Sequence, residues 1–311
     1  MPSAVKPAPH PRVIFKDTAH LKAVLQAITV TFLWSMSWVL IKIGLKDIPA
    51  LTFAGMRYFF AFGAILALAW RSGQLSAVRS LTRRDWGWLT LLGVVYYTIT
   101  QGTQFLALDR LPAVTLSFLL NFTTVVVALM SIVLLAERPN RRQWLGIGIF
   151  LVGVVIFFYP VVFPAGRWLG LLIGFISMVA NSVAAVLGRF MNRGGRLPAR
   201  IVTLVSMGIG STLLLTTGML TQGLPTLSIT TWAIVLWLAV VHTAFAFTLW
   251  NHTLRELSAV ESSILNNTML IQIAFLAWLF LGEDISTQQG IGMGVASVGM
   301  LMVQLRSSKL K

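Results

Sequence analysis

Ten stretches of this chain stay apolar for roughly the 20 residues that a helix needs to cross the hydrocarbon core of a bilayer. They run over residues 22–46, 50–70, 86–108, 112–136, 141–161, 168–190, 199–220, 231–253, 257–280 and 287–306. Polar and apolar positions do not alternate within them, so they do not read as the strands of a membrane β-barrel. The connections are short and leave no room for a separate soluble domain. The pattern predicts an all-α integral membrane protein of ten transmembrane helices. Residues 1–21 are Pro-rich and basic and are predicted to form a disordered cytoplasmic tail. The apolar run after them is too long for a signal-peptide core and predicts an uncleaved first span.

Composition agrees: 57% of the 311 residues are hydrophobic and 11% charged, against about a quarter charged in soluble domains. The net charge of +15 is one-sided. With the N-terminus inside, 19 of the 24 Lys and Arg residues fall on the inner side. Only Lys42, Lys46, Arg57, Arg110 and Arg167 lie toward the outside. This is the positive-inside distribution, not a nucleic-acid footprint. It predicts a multi-pass protein of the cytoplasmic (inner) membrane with both termini cytoplasmic, in contact with lipid and not with nucleic acid. There is no cysteine, which excludes disulfides, thiolate metal sites and a cysteine nucleophile. His10, His20, His242 and His252 lack metal-ligand spacing, and there is no P-loop. No catalytic residue, metal or cofactor is expected.

The chain repeats itself. At an offset of 146, Leu111, Ala113, Ser117, Leu119, Asn121, Leu135, Glu137, Gln143, Gly146, Gly148 and Gly153 meet identical residues, ending at Gly299. Each half, 22–161 and 168–306, then holds five spans, and an odd number inserts the second half upside down. The basic "ERPNRR" at 137–142 is predicted inside and its uncharged-to-acidic counterpart "EDISTQQ" at 283–289 outside. Two inverted five-helix repeats around a central cavity are the architecture of many secondary transporters.

Four stretches carry a resemblance to a known family: "WSMSWVLIKIGL" with Pro49 and then Arg57; "LLAERPNRRQWLGIGIFLVGV" at 134–154; "FLGEDISTQQGIGMGVASVGM" at 280–300; and "HTAFAFTLWNHTLRELSA" at 242–259. With these the chain after residue 22 resembles the EamA branch of the drug/metabolite transporter superfamily. That resemblance implies a ten-helix basket with a central cavity that moves small metabolites, often as export.

Polar residues at membrane depth are costly and face a cavity or a partner helix. Trp34, Ser37 and Trp38 share one face of span one, and Tyr97 and Gln101 one face of span three. Asn121 and Asn267 are repeat equivalents at mid-span, Asn181 is central in span six and His242 in span eight. Together with Lys42 and Arg57, in the outer half, they are the candidate substrate-binding residues. Each has a plainer alternative. The amides, serines and His242 can be helix–helix bonds, Lys42 can snorkel to the interface, and Gly146-x-Gly148 and Gly292-x-Gly294 are read as packing. No carboxylate falls at mid-membrane, which favours movement down a gradient, with His242 the one titratable mid-span group. The expected function is a secondary transporter moving a small organic metabolite, such as an amino acid or related compound, by alternating access, as exporter or facilitator. The runner-up is an exchanger of anionic or phosphorylated metabolites clamped by Lys42 and Arg57. An integral-membrane lipid-processing enzyme is the reading of a different class. A monomer or homodimer is expected.

Overall fold

The computed structural model describes residues 18–73, 75–135, 140–159, 167–193, 197–254, 256–257 and 259–304. Residues 1–17 of the predicted tail and the predicted inner loop with Glu137 lie outside them. Residues 18–21, predicted as part of that tail, instead open the first helix.

The described residues are helical and carry no strand. In order the helices are α1 (Thr18–Gly44), α2 (Ala50–Arg71), a short α3 (Ser76–Arg79), α4 (Arg83–Leu92), α5 (Gln101–Arg110), α6 (Ala113–Leu135), α7 (Arg141–Phe158), α8 (Trp168–Arg193), α9 (Ala199–Gln222), α10 (Ile229–Ala239), α11 (Ala246–Thr253), α12 (Ala259–Leu281) and α13 (Thr287–Gln304). A π-helical segment, Gly93–Thr100, joins α4 to α5 without a break, and a second, Val240–Phe245, joins α10 to α11. The two segments stand at the repeat offset from one another. In each, a threonine hydroxyl donates to a carbonyl five residues back: Thr100 to Val95 and Thr243 to Leu238. Eight helices are long and apolar enough to cross a membrane. The predicted third and tenth spans fall outside that set. The third, 86–108, is diluted by Trp, Tyr, Thr, Gln and Gly, and the tenth is short and rich in Gly and Gln.

Local chemistry sets the helix starts. Pro49 and Pro198, whose rings fix φ near the helical value, cap α2 and α9. Asn140 with Gln143 and Ser286 with Gln289, repeat equivalents, cap α7 and α13 by reciprocal side-chain and backbone bonds. Gly282, at φ 65°, ends α12, and the next N–H, that of Glu283, returns to the Ala277 carbonyl. The turn aims the Glu283 carboxylate at the start of α6. There it accepts the N–H groups of Ala113 (2.7 Å) and Val114 (3.1 Å), which have no partner inside their own helix.

The packing pairs helices from opposite halves, and the most extensive contacts are α7 with α13 and α2 with α9. In the first, a Cβ on Gly146 would lie 2.7 Å from the Gly299 carbonyl, and one on Gly153 2.7 Å from the Gly292 carbonyl. Gly146 is the repeat equivalent of Gly292, and Gly153 of Gly299, so each glycine meets the other's counterpart. The chains run antiparallel there. The Gln143 side chain at the start of α7 donates to the Val303 carbonyl near the end of α13, and the Gln288 side chain donates to the Ile156 and Tyr159 carbonyls. Gly55 against Leu215 and Gly218 against Thr52 fix α2 antiparallel to α9. By contrast α1 runs parallel to α12 through His20–Glu261 and Ser35–Gln272. α8 runs parallel to α6 through Gly174 against Leu116 and Asn181 against Thr123. Gly148 and Gly294 correct the packing expectation: nothing lies within 4 Å of a Cβ at either, and only the first glycine of each pair meets the opposite helix.

This contrast gives a direct test. Gly153→Ala must push a Cβ into the Ala296 backbone nitrogen and is expected to cost about 1–3 kcal/mol, as overpacking does. Gly148→Ala has open space and should stay within about 0.5 kcal/mol. Thermal unfolding of the purified protein in detergent distinguishes the two.

Candidate functional site

Arg57 is the structural oddity of the chain. It lies seven residues into α2, about 10 Å along the helix at 1.5 Å per residue, and is 94% buried. A charge at such depth is unfavourable by a few kcal/mol unless it is paired. Its Nε donates to the Thr243 hydroxyl in the second π segment at 3.3 Å, and its guanidinium sits 5.3 Å from the Tyr58 ring centre. No carboxylate among the described residues lies within 4.0 Å of it.

The walls around it are aromatic and polar. Tyr58 donates its hydroxyl to the Gln101 amide oxygen at 2.6 Å. Its ring stands edge-on to Tyr97 at 5.7 Å, and Tyr97 to Tyr96 at 4.8 Å. Tyr97 and Gln101 are both buried. The predicted face of span three therefore meets Tyr58, the neighbour of Arg57 on span two. It does so where a π segment widens the helix by one residue per turn, a distortion that recurs at functional sites.

On the other flank, His242 is buried with its Nδ1 2.5 Å from the Leu33 carbonyl of α1. A carbonyl only accepts, so Nδ1 carries the proton and the ring ties the second π segment to α1. The next residue of α1, Trp34, is half-buried against Phe247 (5.3 Å) and Trp250 (5.4 Å). Trp38 is buried, and Ser37 donates to the Trp34 carbonyl of its own helix.

The remaining predicted residues lie apart from Arg57's direct contacts. Asn121 donates to the Ser117 carbonyl one turn back. Asn181 reaches the Thr123 hydroxyl of α6 at 3.4 Å, and Asn267 is buried on α12. Lys42 donates to the Leu108 (2.5 Å) and Leu111 (2.8 Å) carbonyls at the end of α5. It neutralises the negative end of that helix, with Glu283 and Asp109 supplying opposite charge around it. Two of its three donors are thereby occupied. Two pockets lie at helix ends rather than around these central residues. One, of about 360 Å³, is bordered by Lys46, Asp47, Asp109, Arg110 and Gln222. The other, of about 460 Å³, lies between Phe62, Leu66, Val78, Trp86 and Leu204.

Sequence reading missed Tyr58, Tyr96, Thr243 and the capping role of Glu283. Thr243 had a signal, since it stands at the repeat offset of 146 from Tyr97. Tyr58, next to Arg57, looked like one more aromatic in an aromatic helix. Gln272 is a further polar residue at membrane depth. It accepts from Ser35 and donates to Thr31 and Thr268, so it fastens α1 to α12.

Comparison with known proteins matches residues 21–159 and again 168–305 to the EamA-like transporter family. The chain is 32% identical over 133 residues to an uncharacterised transporter of Archaeoglobus fulgidus, covering 42% of this chain and 44% of that one. It is 30% identical over 140 residues to one of Bacillus subtilis, covering 44% and 46%. To one of Synechocystis it is 28% identical over 220 residues, covering 66% and 65%. The chain thus spans less than two thirds of the length of these curated relatives. A crystal structure described only as that of a protein superposes with a TM-score of 0.68 at 18% identity, covering 93% of this chain and 99% of that one; this likeness concerns the fold.

Lys42→Met removes two charge-assisted bonds, each of the order of 1.5–3 kcal/mol. It is expected to lower the thermal unfolding midpoint, and Lys42→Arg to restore part of the loss. Unfolding followed by tryptophan fluorescence checks this.

Proposed function

Since this chain belongs to the EamA-like transporter family and is a multi-pass membrane protein, we propose that it moves a small organic metabolite across the cytoplasmic membrane by alternating access. The observation that carries this reading is the exchange of partners between halves. The halves contribute equivalent helices to equivalent contacts, α7 to α13 and α2 to α9. Two such arrangements of one interface, related by swapping the halves, open the interior to one side and then to the other.

The same contacts support ten crossings. Spans one and nine are parallel, as are four and six, while two and seven, and five and ten, are antiparallel. These directions are those of ten alternating crossings with the second half inverted. The positive-inside distribution then assigns the start of α1 and the end of α13 to the cytoplasm. A single chain encloses the site, and either a monomer or a homodimer accommodates it. Both Lys42 and Arg57 were needed for a clamp on phosphorylated solutes. Lys42 is held on backbone carbonyls, which favours the small-metabolite reading.

Two experiments test the proposal. A membrane-impermeant thiol reagent applied outside sealed cells should label Ser286→Cys and spare Asn140→Cys. Labelling both alike would remove the inverted repeat. In proteoliposomes at equal pH on both sides, radiolabelled solutes from an amino-acid and organic-acid panel should flow down their own gradients. Flux that needs a pH step and vanishes in His242→Ala would instead make His242 a proton site.

A further inference from the structure

We infer that the solute is bound through a single carboxylate, received by Arg57, with Thr243 positioning the guanidinium and Tyr58 and Gln101 forming the polar wall beside it. This rests on the transport reading above and names the substrate class of that site.

Arg57 uses one of its five donors, Nε, on a protein acceptor. Its terminal nitrogens make no hydrogen bond to the described residues, yet they are not sealed off. The sealed and unsatisfied side-chain atoms among the described residues are Gln26 Oε1 and Ser211 Oγ. The terminal nitrogens of Arg57 are not among these and so keep some accessible surface, while the residue as a whole is 94% buried. A lone buried cation is destabilising, and the missing counter-charge is what a ligand supplies. A terminal guanidinium edge matches the two oxygens of a carboxylate.

The charge count selects the class. The other outer-half cation of the helix pair, Lys42, is held on the Leu108 and Leu111 carbonyls. The carboxylates of the described residues lie at or beyond helix ends. One fixed positive charge balances a monoanion and leaves a phosphate dianion half-neutralised. Around Arg57 stand Tyr58 on its own helix, Tyr96 from span three, and His242 and Thr243 from span eight, with Tyr97 and Gln101 against Tyr58. None is acidic. Thr243 is held in turn by its bond to the Leu238 carbonyl, which fixes its free lone pair toward Nε. The second π segment thereby orients the cation.

The experiment uses the full chain in nanodiscs. Binding of benzoate, N-acetyl-L-leucine and N-acetyl-L-phenylalanine, each beside its neutral amide, and of phenyl phosphate, is measured by calorimetry for the wild type, Arg57→Gln, Arg57→Lys and Thr243→Val. Circular dichroism and monodispersity confirm folding. At least one carboxylate should bind more tightly than its amide by about 10-fold or more, as a charge-assisted bond provides. That preference should vanish in Arg57→Gln, return in part in Arg57→Lys and weaken in Thr243→Val. Equal binding of acid and amide by the wild type overturns the assignment, and that arm needs no variant to fold. So do failure of every carboxylate to bind, tighter binding of phenyl phosphate, or full carboxylate binding by Arg57→Gln. Flux of the same solutes in proteoliposomes separates the two claims. Arg57-dependent binding without flux defeats the transport reading and keeps the site. Flux of amides that ignores Arg57→Gln keeps transport and defeats the site.

Discussion

The fold depends on backbone-to-backbone contact between equivalent helices. In lipid there is no hydrophobic drive to bring helices together, so close approach and dispersion must do it. Gly146 against Gly299 and Gly153 against Gly292 allow α7 and α13 to touch along their backbones. Because the repeat equivalent of the Gly146–Gly299 contact is the Gly153–Gly292 contact, the seam is self-complementary, as a two-fold interface between subunits is. The α2–α9 contact repeats the device with Gly55 and Gly218. The other helices are placed by these seams and by polar fasteners such as Gln272 and Asn181.

The site follows from that arrangement. α2 is pinned against α9, which fixes the height of Arg57. The two π segments stand at equivalent places in the repeats; one hands Thr243 to the Arg57 Nε, while the other carries Tyr97 and leads into Gln101, both against Tyr58. Lys42 and Glu283 act differently although both were conspicuous in the sequence. One caps the end of α5 and the other the start of α6. They hold the turn between those helices, and Glu283 does so from the opposite half of the chain.

Much of the architecture was legible in the apolar pattern, because bilayer thickness sets helix length and the repeat offset sets symmetry. Arg57, Tyr97, Gln101 and His242 were legible as polar groups where polarity is costly. What was not legible is rotational and local. Periodicity does not reveal that π segments re-aim residues 93–100 and 240–245, or that Gly148 and Gly294 face away from the seam. Nor does it show that Asn121 satisfies itself on its own helix. An ammonium one turn from a helix end reads as snorkelling until the carbonyls of a neighbouring helix are seen beside it.

The central claim is that two equivalent halves exchange arrangements around Arg57. Pulsed electron–electron resonance on spin labels at Lys46 and Asp284, at the end assigned outside, and at Arg84 and His252, at the end assigned inside, tests it most directly. Both pairs are solvent-exposed. In nanodiscs, adding a transported carboxylate should shift the two distance distributions in opposite directions, one end closing as the other opens. Two distributions that stay fixed, or that widen together, would contradict the account.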